Sequence, residues 1–204
     1  MNFTLSWLQT PFWSPDAKPL MSIMPTVRII NEHENDPHFL TLTVIEWIDV
    51  FTGEDYFKII INTLKYCQEN LDLLLYDYVI MTNHLHLIVA ANQNHKLSEI
   101  IAAFKKFTTK EIYKLLAKDN RKYILWLLKN SYSKKKDSQS QLWQRENFPK
   151  LIESDEFLAQ KADYIHQNPI IKGYAIKPED WKYSSARNRY LNDESVIAVE
   201  NYPT

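Results

Sequence analysis

Two short apolar runs, Asp77–Met81 and Leu85–Ala90, flank Thr82-Asn83, and this stretch limits what the chain can fold into more than any other. Both runs are rich in β-branched and aliphatic residues. The two residues between them are the length of a tight hairpin loop, so an antiparallel strand pair is predicted. Successive side chains on a strand alternate faces, which puts His84 and His86 on one side and Leu85 and Leu87 on the other. The two histidines then stand about 6–7 Å apart at Cα, a spacing suited to joint ligation of one ion. A half-buried strand that merely carries two histidines on its polar face has the same pattern, so a third ligand is required.

A candidate third ligand lies in SDEFLAQKADYIHQNP, Ser154–Pro169. Ser154 is an N-cap residue followed by Asp155 and Glu156, which suit the positive end of a helix dipole. Pro169 disfavours helical geometry at Asn168, so the helix is expected to end about there. Tyr164 and Asn168 are four apart and share a face. A tyrosine and an amide oxygen beside two histidines form a nucleophile, Tyr164, and a three-ligand metal site, His84, His86 and Asn168, with open positions. A phenol with a pKa near ~10 is a poor nucleophile at neutral pH. It can attack a phosphodiester when a metal polarises the non-bridging oxygens. The mixed nitrogen and oxygen ligands permit Mg²⁺ or Mn²⁺ and do not exclude Zn²⁺ or Ni²⁺.

Four segments, in order, resemble the single-tyrosine HUH transposases, and above all the REP-associated tyrosine transposases. They are MTNHLHLIV at Met81–Val89, WQRENFPKLIES at Trp143–Ser154 (the weakest), DYIHQNP at Asp163–Pro169 and WKYSSARNRY at Trp181–Tyr190. With the first strand they cover nearly everything from Phe39 to Tyr190. The family often has proline where this chain has Thr82, a turn position away from the chemistry. The resemblance implies an α+β, ferredoxin-like sandwich with a central antiparallel sheet, the histidines on a central strand and Tyr164 on a helix across that face. It also implies cleavage and rejoining of single-stranded DNA at hairpin-forming palindromic repeats, through a 5′-phosphotyrosine and a free 3′-OH, by a monomer. Two other classes fit the same residues: a catalytically silent or domesticated DNA-binding protein, and a phosphodiesterase in which water attacks and Tyr164 packs.

Net charge over 204 residues is only −1, but its distribution is uneven. Residues 96–150 carry 14 basic and 5 acidic side chains, whereas residues 1–95 carry 4 and 11. Such a local excess fits a phosphate-backbone footprint. Most of it falls on a helix expected over Leu97–Lys118, whose inner stripe is Ile101, Phe104, Thr108, Ile112 and Leu115 and whose other sides carry Lys105, Lys106, Lys110 and Lys114. These four lysines, with Arg187 and Arg189, are the candidate DNA contacts. A solvated helix face and, for the arginines, packing against the core are the plainer readings. Tyr113, on the same helix, is the rival nucleophile. A single cysteine, Cys67, rules out a disulfide framework and suits a reducing cytoplasm, and no apolar run reaches the ~18 residues of a membrane span. With only Gly53 and Gly173 in the chain, a glycine-rich phosphate loop is excluded.

The domain plan is an N-terminal arm or extension over residues 1–36, a catalytic domain over 37–190 with an insertion at about 119–140, and a loose tail over 191–204. Within the domain a first strand is expected over Phe39–Val50, and a helix over Asp55–Asn70 after a Thr52 capping signature. The insertion is expected as an apolar turn around Trp126 and a flexible loop whose Lys134-Lys135-Lys136 could clamp a DNA backbone. A short strand or extended segment is expected over Leu142–Leu151.

Overall fold

The computed structural model describes residue 29 and residues 33–92, 94–131 and 141–202. The expected N-terminal arm lies almost wholly outside these residues, and Lys134–Lys136 entirely so. Four strands, β1 (His38–Thr43), β2 (Leu73–Ile80), β3 (His84–Ala91) and β4 (Lys150–Leu151), make one antiparallel sheet in the order β2-β3-β1-β4. The helices are α1 (Glu54–Asn70), α2 (Leu97–Lys118), α3 (Lys122–Asn130), α4 (Asp155–Ile171) and α5 (Ala186–Leu191). The α+β sandwich with a central antiparallel sheet is therefore present.

Strand alternation sorts the sheet into two faces. Leu40, Leu42, Leu85, Leu87 and Val89 pack with the apolar stripes of α1 and α2, including Ile60, Leu64, Ile101 and Phe104. Phe39, Val79, Ile88 and Ala90 point the other way and pack with Leu158, Ala162 and Ile165 of α4. A fully buried Leu or Ile contributes about 1.5–3 kcal/mol, so both layers hold the sheet firmly. His84 and His86 belong to the α4 face, since β3 partners Thr41 with His86 and Val79 with His86. A bulge between Leu75 and Asp77 resets the alternation of β2, so that Asp77 opposes Ile88 and also faces α4.

Several boundaries differ from the sequence expectation. The first strand stops at Thr43, because Val44 N–H bonds Asn83 and Ile45 N–H bonds Leu142, and the chain then turns through left-handed Glu46 (φ 52°) and Trp47 (φ 54°). Thr52 does not cap α1; Gly53 occupies the cap with no side-chain hydrogen bond. The apolar turn around Trp126 is the helix α3, seated on Leu128. Leu115 is only partly buried on α2, and Leu116 takes its place in the core.

Ser154 does cap α4, accepting from Phe157 N–H, but Pro169 does not end the helix. The final turn closes through Lys172, Gly173 and Tyr174 N–H groups onto Asn168, Ile170 and Pro169 carbonyls, none of which needs an N–H from proline. Gly173, at φ 74°, supplies the left-handed residue of this Schellman ending. The C-terminal segment is not loose. Ile197 is buried, Glu200 N–H bonds the Leu75 carbonyl, and Tyr202 reaches Asp77. Among the described residues no helix is long and apolar enough to cross a membrane.

Candidate active site

The β2–β3 hairpin delivers His84 and His86 to the centre of the sheet, and both are 5% exposed. Their rings are 4.9 Å apart, at 69° to one another. Each uses Nδ1 on a neighbour. His84 Nδ1 donates to Asn83 Oδ1 at 2.7 Å. Asn83 is itself fixed by donating Nδ2 to the Trp47 carbonyl at 3.0 Å and to Asp49 at 2.9 Å. His86 Nδ1 pairs with Thr41 Oγ1, its cross-strand neighbour, at 2.9 Å. With Nδ1 so engaged on both rings, Nε2 is the nitrogen left to face a ligand, and His84 also interacts with the Asn168 side chain. This is the arrangement by which outer partners orient metal-binding imidazoles.

Tyr164 comes from α4 on the same side. Its ring is 5.0 Å from His86 and 5.9 Å from Phe39, and at 43% exposure it is within reach of a substrate. Asn168, one turn on, is 4% exposed, and its Oδ1 is buried with no hydrogen-bond partner among the described residues. An orphaned buried carbonyl oxygen costs about 1–3 kcal/mol, which a cation would relieve. Two neutral imidazole nitrogens and this oxygen would suit a divalent ion, the oxygen matching Mg²⁺ or Mn²⁺ and the imidazoles matching Zn²⁺ or Ni²⁺ as well. Among the described residues no group of three His, Cys, Asp or Glu side chains could hold a metal ion, so a site here would need a donor of another kind, such as Asn168.

Electrostatics favour the ligating forms. Burial, with help from the Lys172 cation, lowers His84 to about 4 against an opposing pull from Asn168. Burial, then the neighbouring His84, Lys161 and Lys172, hold His86 well below the ordinary histidine value. Both imidazoles are neutral at pH 7. Burial raises the Tyr164 phenol, and the Asn168 amide partly opposes this.

Lys161 was not anticipated from the sequence. Its ammonium is 5.9 Å from the Tyr164 ring and 5.3 Å from that of Phe39, and burial lowers its pKa. The signal was there: Lys161 precedes Tyr164 by three residues and so shares its helix face. Trp47, its ring 5.5 Å from His84, was equally hidden, because a left-handed turn brings it there.

The other predicted residues lie elsewhere. Tyr113 packs with the α1–α2 layer, on the sheet face away from the histidines, and donates to the Gln141 carbonyl. Lys105, Lys106 and Lys110 line a groove of about 590 Å³ with Tyr113, Trp143 and Arg145. Lys105 is not a free cation there, since its Nζ bonds the Gln144 carbonyl at 2.6 Å and Asn147 Oδ1 at 2.7 Å, and burial lowers it to about 8. Lys114 lies outside the groove lining and pairs with Glu111. Arg187 bonds Asp193 and the Glu179 carbonyl, while Arg189 bonds the Tyr76 and Glu200 carbonyls. These partners within the fold favour the packing reading for both arginines, although Arg189 Nε has no hydrogen-bond partner among the described residues.

Comparison with known proteins agrees with this architecture. A Haemophilus influenzae protein named as a REP-associated tyrosine transposase is 31% identical over 106 residues, 52% of this chain and 54% of its own. The chain thus spans about half the length of that relative. A solved structure of a REP-associated tyrosine transposase bound to a REP hairpin superposes with a TM-score of 0.58 at 14% identity, over 89% of this chain and 92% of the other, a likeness of fold. The family described as "Transposase IS200 like" matches residues 38–168, a span from the start of β1 to Asn168 that includes both histidines and Tyr164. The chain belongs to the IS200-like transposase family.

Proposed function

We propose that the protein cleaves and rejoins single-stranded DNA at hairpin-forming repeats, with Tyr164 as nucleophile and a divalent ion, Mg²⁺ or Mn²⁺, held by His84 Nε2, His86 Nε2 and Asn168 Oδ1. The observation that carries this reading is the Tyr164 ring 5.0 Å from His86, beside an orphaned Asn168 oxygen. A bound ion would polarise the scissile phosphate and stabilise charge on the departing oxygen. The Tyr164 oxygen attacks phosphorus, the P–O3′ bond breaks, and the 3′ oxygen leaves as a hydroxyl, giving a 5′-phosphotyrosine. The phenolic proton passes to solvent, and solvent supplies the proton that the departing 3′ oxygen takes up. Rejoining reverses these steps with another 3′-OH, so bond energy is conserved in the adduct.

Phe39, His86 and Lys161 surround the Tyr164 ring and limit its rotation. Lys161 and Lys172, whose charges lower the His86 pKa, would supply positive charge for a phosphate beside it. Lys106 and Lys110 in the groove along α2 are the preferred contacts for the strand beyond. One chain supplies both histidines, Asn168 and Tyr164, which supports a monomer as the working unit. A DNA substrate supports the cytoplasm as the place of action. The hairpin-bound fold relative supports a hairpin partner.

The test is a 5′- or 3′-labelled single-stranded hairpin with flanking strand, incubated with protein and Mn²⁺ or Mg²⁺. A denaturing gel should reveal a protein–DNA adduct that requires the ion. Cleavage without an adduct would instead mean that water is the nucleophile.

A further inference from the structure

A buried polar cluster that the proposed chemistry does not use ties the Tyr164 helix to the sheet. Asp77 is wholly buried on β2, where the bulge turns it away from the Leu75 face and toward α4. Its Oδ1 accepts from His166 Nε2 at 3.0 Å and from Ser185 Oγ at 2.7 Å, and its Oδ2 accepts from the Tyr202 hydroxyl. Ser185 Oγ also accepts from Tyr78 N–H at 3.0 Å, and His166 Nδ1 meets the Tyr190 hydroxyl at 3.2 Å. Arg189 Nε lies 3.7 Å from the same carboxylate. Segments from β2, α4, α5 and the C-terminus thus converge on one side chain.

The helix geometry links this cluster to the active site. Neighbouring helical residues are about 100° apart around the axis. Ile165 is fully buried against the sheet, so Tyr164 and His166 stand on opposite flanks of it. One flank meets Asp77 on β2; the other meets Phe39 on β1 and His86 on β3. Asn168 lies on the Tyr164 flank. Apolar packing by Leu158, Ala162 and Ile165 is non-directional and tolerates rotation of the helix about its axis. A hydrogen bond weakens steeply when its angle opens. Rotating α4 so as to withdraw Tyr164 from His86 would pull His166 off Asp77.

We propose that His166 and Asp77 are positioning residues, whose hydrogen bond sets the rotation of α4 and with it the placement of Tyr164 and Asn168 against His84 and His86. The effect on DNA cleavage rests on the function proposed above, whereas the effect on helix placement does not.

The experiment compares wild type with His166→Ala, His166→Gln and, as a control in the same core, Leu158→Ala. One readout is the imidazole NMR resonances of His84 and His86 in metal-free protein. The other is the single-turnover rate of adduct formation alongside affinity for the hairpin strand. His166→Ala should shift both resonances and slow the adduct at least tenfold, with DNA affinity within twofold of wild type. His166→Gln, which keeps an N–H at similar reach, should recover most of both. Leu158→Ala should lower the melting temperature and leave resonances and rate near wild type. If the alanine variant does not fold, His166→Asn, polar but too short to reach Asp77, gives the same comparison. Unmoved resonances and rate in folded His166→Ala or His166→Asn overturn the proposal, as do equal losses in Leu158→Ala. Wild-type protein that forms no adduct would defeat the catalytic reading alone, and the resonances would still judge the positioning role.

Discussion

His84 Nδ1 and Asn83 Oδ1 form a 2.7 Å hydrogen bond between adjacent residues, and Asp49 and the Trp47 carbonyl hold the Asn83 amide in the orientation that makes it an acceptor. The hairpin loop thereby fixes which nitrogen of His84 faces the site. Asn83→Ala should weaken Mn²⁺ binding about 10–100-fold, the usual loss when an outer partner of a ligating histidine is removed. Calorimetric titration with Mn²⁺ measures it. An affinity within twofold of wild type would mean that Asn83 does not orient the ring.

Acid should destabilise the fold through the same histidine. The unfolded chain takes up a proton near pH 6.5, but folded His84 resists it until about pH 4. Between these values the unfolded state binds more protons, so stability falls as pH falls through this window and is unaffected above it. The full effect is roughly 3 kcal/mol by pH 4. Urea unfolding at pH 7.5, 6 and 5 should show a decline that His84→Gln reduces; parallel curves for the two proteins would contradict the assignment.

Gly173 sits at φ 74° with open space where a Cβ would project. Gly173→Ala therefore introduces strain without collision and should cost about 1–2 kcal/mol, as the left-handed region does for residues with a Cβ. Chemical denaturation checks this. A neutral substitution would mean that the ending of α4 relaxes into another turn.

The lysines should separate by role. Lys106→Gln with Lys110→Gln should flatten the dependence of log K on log salt by up to about 1.4, given roughly 0.7 per single-strand phosphate, for hairpin and scrambled strands alike. Lys105→Gln should lower stability instead, because its Nζ bonds the Gln144 carbonyl and Asn147. Affinity measured at four salt concentrations, with melting curves, distinguishes the two. An unchanged slope in the double variant would move the DNA path away from this groove.

What the sequence revealed follows from how local the causes are. The His84–Leu85–His86 alternation and the Ser154 cap need only strand pleat and a side chain one turn away, and both are as expected. The bounds of α2 coincide with its apolar period. The turn at Glu46 and Trp47 depends on hydrogen bonds from Val44 and Ile45 N–H to the Asn83 and Leu142 carbonyls, about 40 and 100 residues distant in the chain, so β-branched composition alone runs the first strand on to Val50. Pro169 misled because the terminating signal was Gly173, four residues further on. Arg187 and Arg189 looked like phosphate donors because their partners, Asp193, Glu179, Tyr76 and Glu200, are gathered only by the fold. The bulge that aims Asp77 at α4 has no local signature, since both neighbouring residues suit a strand.

The proposed chemistry turns on Tyr164 as the attacking group, and substitution of its single oxygen is the most direct test. Wild type, Tyr164→Phe and Tyr113→Phe should be incubated with a labelled single-stranded hairpin and Mn²⁺, with adduct followed on denaturing gels and affinity measured alongside. Tyr164→Phe should form no adduct while its DNA affinity stays within about twofold, because the ring still packs on His86 and Phe39. Tyr113→Phe, on the other face of the sheet, should react like wild type. An adduct formed by Tyr164→Phe and lost in Tyr113→Phe would contradict the site described.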